Sequence, residues 1–243
     1  MAFATETFTL PSNGVLQGVP AKVTIRNITT AEEKMLLGSS NEAIDQLIKK
    51  CIVEPETLDW NSLTAADKFF LLIKLRIITY GPKYTVSVKC PNCGASKEID
   101  IDLDTLETFL LPDDFEEPYD TFDLPHSKAK ITLRIPRLGD IADMEVKARR
   151  YQKKFPAMVG DISYIYMLMA NIATINDKDL PFSDKQRFVE ELSGLDASFI
   201  RNRIKKLEIG IDNTIYDTCN RCHEEFDFSL PVGANFFHSK LGE

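Results

Sequence analysis

Apolar positions recur along this chain with two different periods, and the switches between them mark out its elements. Phe8-Thr9-Leu10-Pro11-Ser12-Asn13-Gly14 reads as a short strand entering a turn, and Ala21 to Ile28 alternates as a second strand. Thr30-x-x-Glu33 reads as a capping box for a first helix. From Asn41 to Ile52 the period lengthens, which puts Ile44, Leu47, Ile48 and Cys51 on one helical face and makes Cys51 a core residue. Thr64 caps a third helix whose run Phe69, Phe70, Leu71, Leu72, Ile73, Leu75, Ile77 and Ile78 is apolar on nearly every side. Such a helix is central, or covered by a partner. Tyr80-Gly81-Pro82 ends it.

Two further stretches alternate strictly, Glu98 to Leu103 and Phe226 to Leu230, and each follows a C-x-x-C pair. Aligning Cys90 with Cys219 also matches Val86 with Ile215, Ile99 with Phe228 and Ile101 with Leu230, so the chain carries an internal repeat of a strand-knuckle-strand unit. Between the copies lie an acidic stretch, Asp113 to Asp123, with Pro112, Pro118 and Pro125, which reads as a linker, and a strand at Ile131 to Ile135. Four helices are expected over 139–155, 161–175, 183–193 and 196–208. The resulting plan is an α+β fold: an N-terminal strand and helix region at 1–83, a split zinc-ribbon-like β unit formed by 84–111 and 211–243, and an inserted strand plus helical domain at 112–210.

At 243 residues the chain is long enough to bury a real core without crosslinks, so a metal would be a local organiser. The net charge of −8 argues against a mainly electrostatic partner such as duplex DNA or an anionic membrane. Met1 to Pro20 has no basic start followed by an apolar run, which predicts retention in a reducing cytoplasm. The most apolar segment, Phe69 to Ile78, is interrupted by Lys74 and Arg76 and is shorter than the roughly 20 residues of a membrane span.

Five cysteines divide into Cys90 with Cys93, Cys219 with Cys222, and Cys51 alone. The second pair stands in C-N-R-C-H, which fits haem attachment, a redox dithiol or half a zinc site. Haem attachment normally follows export and leaves the first pair unexplained. A thioredoxin-like dithiol sits at the start of a helix, yet both pairs here lead into strands. Zinc accounts for both pairs at once, with Cys90, Cys93, Cys219 and Cys222 supplying four thiolates to a closed, structural site. The 125 residues between Cys93 and Cys219 add a loop-closure term of about 4 kcal/mol. Structural zinc contributes on the order of 10 to 16 kcal/mol in small peptides, so closure is feasible. His223 occupies the place of Gly94 in the first knuckle, and reads as an exposed turn residue in the left-handed region rather than a ligand.

Other chemistry finds less support. Asp100, Asp102 and Asp104 have the spacing of the first calcium ligands of an EF-hand, but Thr105 and Leu111 replace its glycine and closing glutamate, leaving a strand's wet face. Lys147, Arg149, Arg150, Lys153 and Lys154, and also Arg201, Arg203, Lys205 and Lys206, form basic patches that read as solvated faces or docking sites for an acidic protein. Acidic residues around the knuckles oppose nucleic acid there. The sequence has no nucleophile elbow, phosphate loop or H-E-x-x-H, and three histidines without companions, so a non-enzyme is expected.

Several short segments in order carry a family likeness: Leu10-Pro11-Ser12-Asn13-Gly14, Thr30-Ala31-Glu32-Glu33, Leu75 to Gly81, Cys90-Pro91-Asn92-Cys93-Gly94, Leu133-Arg134-Ile135-Pro136, and the second knuckle running into Leu230-Pro231 and Phe236-Phe237. Taken together, the chain resembles the baseplate hub and hub-assembly proteins of T-even-like contractile-tailed bacteriophages. The resemblance implies a structural part of the virion tail baseplate, made in the host cytoplasm and binding other phage tail proteins, or an assembly chaperone absent from the finished particle. A nucleic-acid-binding zinc-ribbon regulator is the rival from another class. The zinc assignment rests on the cysteines alone. Phe236, Phe237 and the basic helix at Lys147 to Lys154 are the expected partner contacts, with ordinary packing and ordinary surface as the alternative readings.

Overall fold

The computed structural model describes residues 3–35, 41–156, 160–232 and 234–237. Its centre is the helix that the apolar run demands, α3 (Ala65–Tyr80), with Phe70, Leu71, Leu72, Ile73 and Leu75 all buried. Each such side chain contributes roughly 1.5 to 3 kcal/mol by leaving water. Thr64 caps α3, its hydroxyl accepting from the Asp67 N–H while one Asp67 oxygen accepts from the Thr64 N–H and hydroxyl. The other Asp67 oxygen accepts from Ser12 N–H at 2.9 Å, so one fully buried carboxylate ties the first turn of the chain to the start of the central helix. Sequence reading gave Asp67 no role.

Around α3 lie an antiparallel sheet in spatial order β1 (Thr5–Thr9), β2 (Lys22–Arg26), β3 (Ile52–Glu54), and the helices α1 (Thr30–Glu33) and α2 (Asn41–Cys51). Val23, Ile25, Leu47, Ile48 and Cys51 complete this core, with Cys51 buried as its helical spacing requires. The capping box of α1 is shifted by one residue from expectation. Thr29, not Thr30, is the N-cap, and the Glu32 carboxylate accepts from its N–H and hydroxyl. Arg26 holds both oxygens of the same carboxylate and pushes its pKa down to about 2. In the Leu10-Pro11-Ser12-Asn13-Gly14 turn, Asn13 and Gly14 both have positive φ. A Cβ on Gly14 would sit 2.7 Å from the Ala21 Cβ. Asn13 Nδ2 donates to the Leu111 carbonyl and to Asp113, and Leu111 N–H to the Pro11 carbonyl, so this turn latches a segment 100 residues away.

From the end of α3 rises a hairpin of β4 (Lys83–Lys89) and β5 (Ser96–Asp102), whose inward residues Val86 and Ile101 reach the same core. The short β6 (Thr108–Phe109) then pairs antiparallel with β10 (Gly210–Ile211), so the chain leaves and re-enters this part of the molecule at one place. A second hairpin, β11 (Thr214–Thr218) and β12 (Glu225–Ser229), follows that return.

The residues between β6 and β10 build a second hydrophobic cluster of their own, around Leu124, Ile131, Leu133, Tyr166, Met169, Ile172, Ile175, Val189 and Ile200. It consists of the sheet β7 (Tyr119–Asp123), β8 (Lys130–Leu133), β9 (Ile172–Ile175), and the helices α4 (Leu138–Lys154), α5 (Ser163–Ala170), α6 (Phe182–Glu190) and α7 (Gly194–Ile204). Two expectations are corrected here. The second half of the acidic stretch is the strand β7, not linker, and the helix expected to run to residue 175 stops at Ala170 and becomes β9. Asn176 and Asp177, both with positive φ, turn the chain immediately after that strand. Tyr119 packs against both clusters, and Leu138 N–H donates to the Leu63 carbonyl at the junction.

Candidate metal centre

Each C-x-x-C sits at the tip of one hairpin, and the two tips have the same main-chain hydrogen bonds. Cys90 N–H donates to the Ala95 carbonyl and Gly94 N–H to the Cys90 carbonyl; Cys219 N–H donates to the Glu224 carbonyl and His223 N–H to the Cys219 carbonyl, all at 2.9 Å. The last bond of each set requires a left-handed residue after the second cysteine. Gly94 has φ 69° and His223 φ 58°, and His223 is exposed. This is the substitution of histidine for glycine that the aligned sequences imply.

The hairpins meet tip to tip. Cys90 and Cys219 are buried, Cys93 and Cys222 half-buried, and their four sulfurs all lie within 4.8 Å of one another. Across the gap, Cys90 Sγ is 3.8 Å from Cys222 Sγ and Cys93 Sγ 3.6 Å from Cys219 Sγ. A disulfide requires about 2.05 Å. Four sulfurs at about 2.3 Å from one ion form a tetrahedron with edges of about 3.8 Å, so this donor set fits zinc in size, number and softness.

The local field favours thiolate unequally. The N–H groups of Cys222 and Arg221 aim at Cys219, and with the neighbouring sulfurs they pull its pKa down to about 6 against the opposing effect of burial. Cys93 receives help from the Ala95 N–H, yet desolvation and hydrogen bonds to the other three sulfurs push it up to about 11. Four thiolates cannot coexist in so small a volume without a cation to balance them.

Below the tips, Lys97 on β5 reaches across to β11. Its Nζ lies 2.6 Å from Asp217 Oδ2 and 3.0 Å from the Thr218 carbonyl, and this ammonium holds the Asp217 pKa below the usual carboxylate range. An open cavity of about 510 Å³ beside Cys90 and Cys219 is lined also by Ser96, Lys97, Arg221 and Phe226.

The remaining sequence candidates separate from this centre. The three aspartates of the EF-hand-like spacing have three different tasks: Asp100 accepts from the Thr85 hydroxyl, Asp102 caps the turn at Leu103–Thr105, and Asp104 pairs with Lys74. In the basic patches, Arg149, Arg150, Lys153 and Lys154 are exposed, but Lys147 lies over the Phe182 ring and Arg203 pairs with Asp120 of β7. His238 lies outside the described residues. Phe236 and Phe237, expected as partner contacts, are instead core: they are 0% and 2% exposed in the main cluster.

A residue noted in the sequence only as an interruption of the apolar run holds them there. Arg76, itself buried in α3, donates from Nε to the Phe236 carbonyl at 2.8 Å and from its two other nitrogens to the carbonyls of Gly81 and Lys83. The signal was a guanidinium within the most apolar stretch of the helix, which once buried must find acceptors within the fold.

No helix among the described residues is long and apolar enough to cross a membrane. No curated protein and no solved structure gives a match to this chain. The family model described as T4 bacteriophage base plate protein matches residues 3–238, nearly the whole length, and the chain therefore belongs to that family.

Proposed function

We propose that the protein is a structural part of the baseplate in its hub region, binding neighbouring tail proteins, with its two halves stapled by one zinc ion on Cys90, Cys93, Cys219 and Cys222. Family membership supports the baseplate role and a place in the virion tail. The observation that carries the metal is the convergence of four thiols, contributed by two hairpins more than 120 residues apart, within 4.8 Å. On this reading 84–111 and 211–243 form a split zinc ribbon, 1–83 an N-terminal strand and helix region and 112–210 an inserted strand plus helical domain. The ligand set is complete at four, so the ion holds structure rather than activating water.

The exposed arginines and lysines of α4, on the inserted cluster, are the surface we assign to an acidic neighbour in the tail. Synthesis and assembly take place in the host cytoplasm, where thiols stay reduced and available to metal. Protein purified without added metal should contain about one zinc per chain by elemental analysis, and the chain should appear at fixed stoichiometry in purified virions. Zinc-free protein would overturn the staple. Presence in infected-cell lysate without presence in virions would replace the structural role with one in assembly alone.

A further inference from the structure

The two hairpins are copies of one unit, and that raises a pairing problem. Each presents two thiols, so a first hairpin could share a metal ion with the first hairpin of another copy as readily as with its own second hairpin, if the cysteines alone decided. Translation sharpens the difficulty. The second knuckle is made 129 residues after the first, about 6 to 26 s at ordinary elongation rates, during which the first stands without its partner.

The inner positions just below the tips are where the copies differ. In the first hairpin Val88 is opposite Lys97; in the second the equivalent positions, 129 residues on, are Asp217 opposite Phe226. The observed pairing brings the two odd residues together, Lys97 against Asp217, half-buried at 25% and 21% side-chain exposure. Phe226 lines the same cavity as Lys97 and Cys90, and a two-fold relation between the copies would set Val88 toward Phe226 as Lys97 is set toward Asp217.

Pairing like with like forfeits this match. Two first hairpins would set each Lys97 against the other copy's Val88, keeping a main-chain carbonyl but losing the carboxylate. Two second hairpins would set each Asp217 against Phe226. Either arrangement half-buries two charges without counter-ions, a cost that the correct pairing avoids. We infer that the Lys97–Asp217 pair is the specificity determinant that directs each knuckle to an unlike knuckle, the nearest of which the strand pairing at 108–109 and 210–211 supplies from the same chain, and so prevents metal-bridged association of like knuckles between copies. The inference rests on the zinc reading above.

Making the hairpins alike removes the distinction. The K97F/D217V variant has Val opposite Phe in both hairpins and should form dimers and larger species that hold zinc and revert to monomer mass with a chelator, as followed by native mass spectrometry and sedimentation. The charge-swapped K97D/D217K variant should match wild type in mass and zinc content. If K97F/D217V does not fold, K97D alone serves: it should populate chelator-sensitive dimers that the added D217K change abolishes. A folded K97F/D217V protein that stays a one-zinc monomer, or a K97D protein that does, would overturn the inference while leaving the zinc staple intact. Wild-type protein without zinc would overturn both.

Discussion

Changing Cys219 to serine should remove zinc from the protein and loosen both hairpins together. Cys219 is buried, accepts from the Arg221 N–H and lies 3.6 Å from Cys93 of the other knuckle, so its loss opens the donor set at its most enclosed corner. A three-thiolate remnant binds metal far more weakly, and the staple stops offsetting the order imposed on two long-separated tips. We expect zinc content to fall from about one per chain to near zero, with a destabilisation of at least about 3 to 5 kcal/mol, a modest part of what structural zinc contributes in isolated peptides. For a chain of this size that corresponds to a drop of roughly 6 to 20 °C in melting temperature. His223→Gly provides the control: φ 58° is a conformation glycine adopts freely, and the imidazole is exposed, so zinc content and stability should hold. Zinc loss in that variant instead would place the histidine in the metal site.

Arg76→Met should be the most damaging change outside the cysteines. Methionine fills comparable volume but leaves the carbonyls of Phe236, Gly81 and Lys83 without their donor, two of the three bonds being 2.8 Å long. Hydrogen bonds from a charged donor contribute about 1.5 to 3 kcal/mol each, and their loss is not fully additive, so we expect about 3 to 5 kcal/mol in denaturant unfolding. The segment around Phe236 and Phe237 should also become open to chymotrypsin under native conditions, which it should resist in wild type. Arg76→Lys should not restore stability, because an ammonium cannot span three acceptors set in the plane of a guanidinium. Wild-type protease resistance in Arg76→Met would show that apolar packing alone anchors the C-terminal turn.

The parts of this molecule that were readable from sequence are those in which side-chain type and local geometry coincide. Two C-x-x-C pairs, each followed by alternating residues, read here as knuckle and strand, and the matched positions around Cys90 and Cys219 show the repeat in the sequence itself. The apolar run of α3 likewise read as central or covered by a partner, and the fold makes it central. What escaped was decided by tertiary partners. Ile172-Ala173-Thr174-Ile175 is apolar enough to prolong α5, and only its β-branched residues and the following Asn176-Asp177 turn hint at the edge strand it becomes beside β8. Phe236 and Phe237 fall in a single 3-10 turn, too short for any period to tell buried from exposed. Arg76 and Asp67 act over 160 and 55 residues of sequence, distances at which pattern carries no information.

The pairing of β6 with β10 also decides where along the chain the inserted cluster is tethered. Anything that pulls on the inserted cluster acts on the two strands through which it joins the rest of the chain, Thr108–Phe109 on one side and Gly210–Ile211 on the other, which are bonded to each other. That collar, and the latch of Asn13 and Pro11 onto Leu111 and Asp113, stand along the chain between the inserted cluster and the cysteines. The collar also shortens the loop that the metal must close, from 125 residues to roughly 25 on its near side, easing closure by about 1.4 kcal/mol. The four sulfurs therefore lie on the far side of both tethers from the inserted cluster, and the metal site closes a short loop rather than a long one.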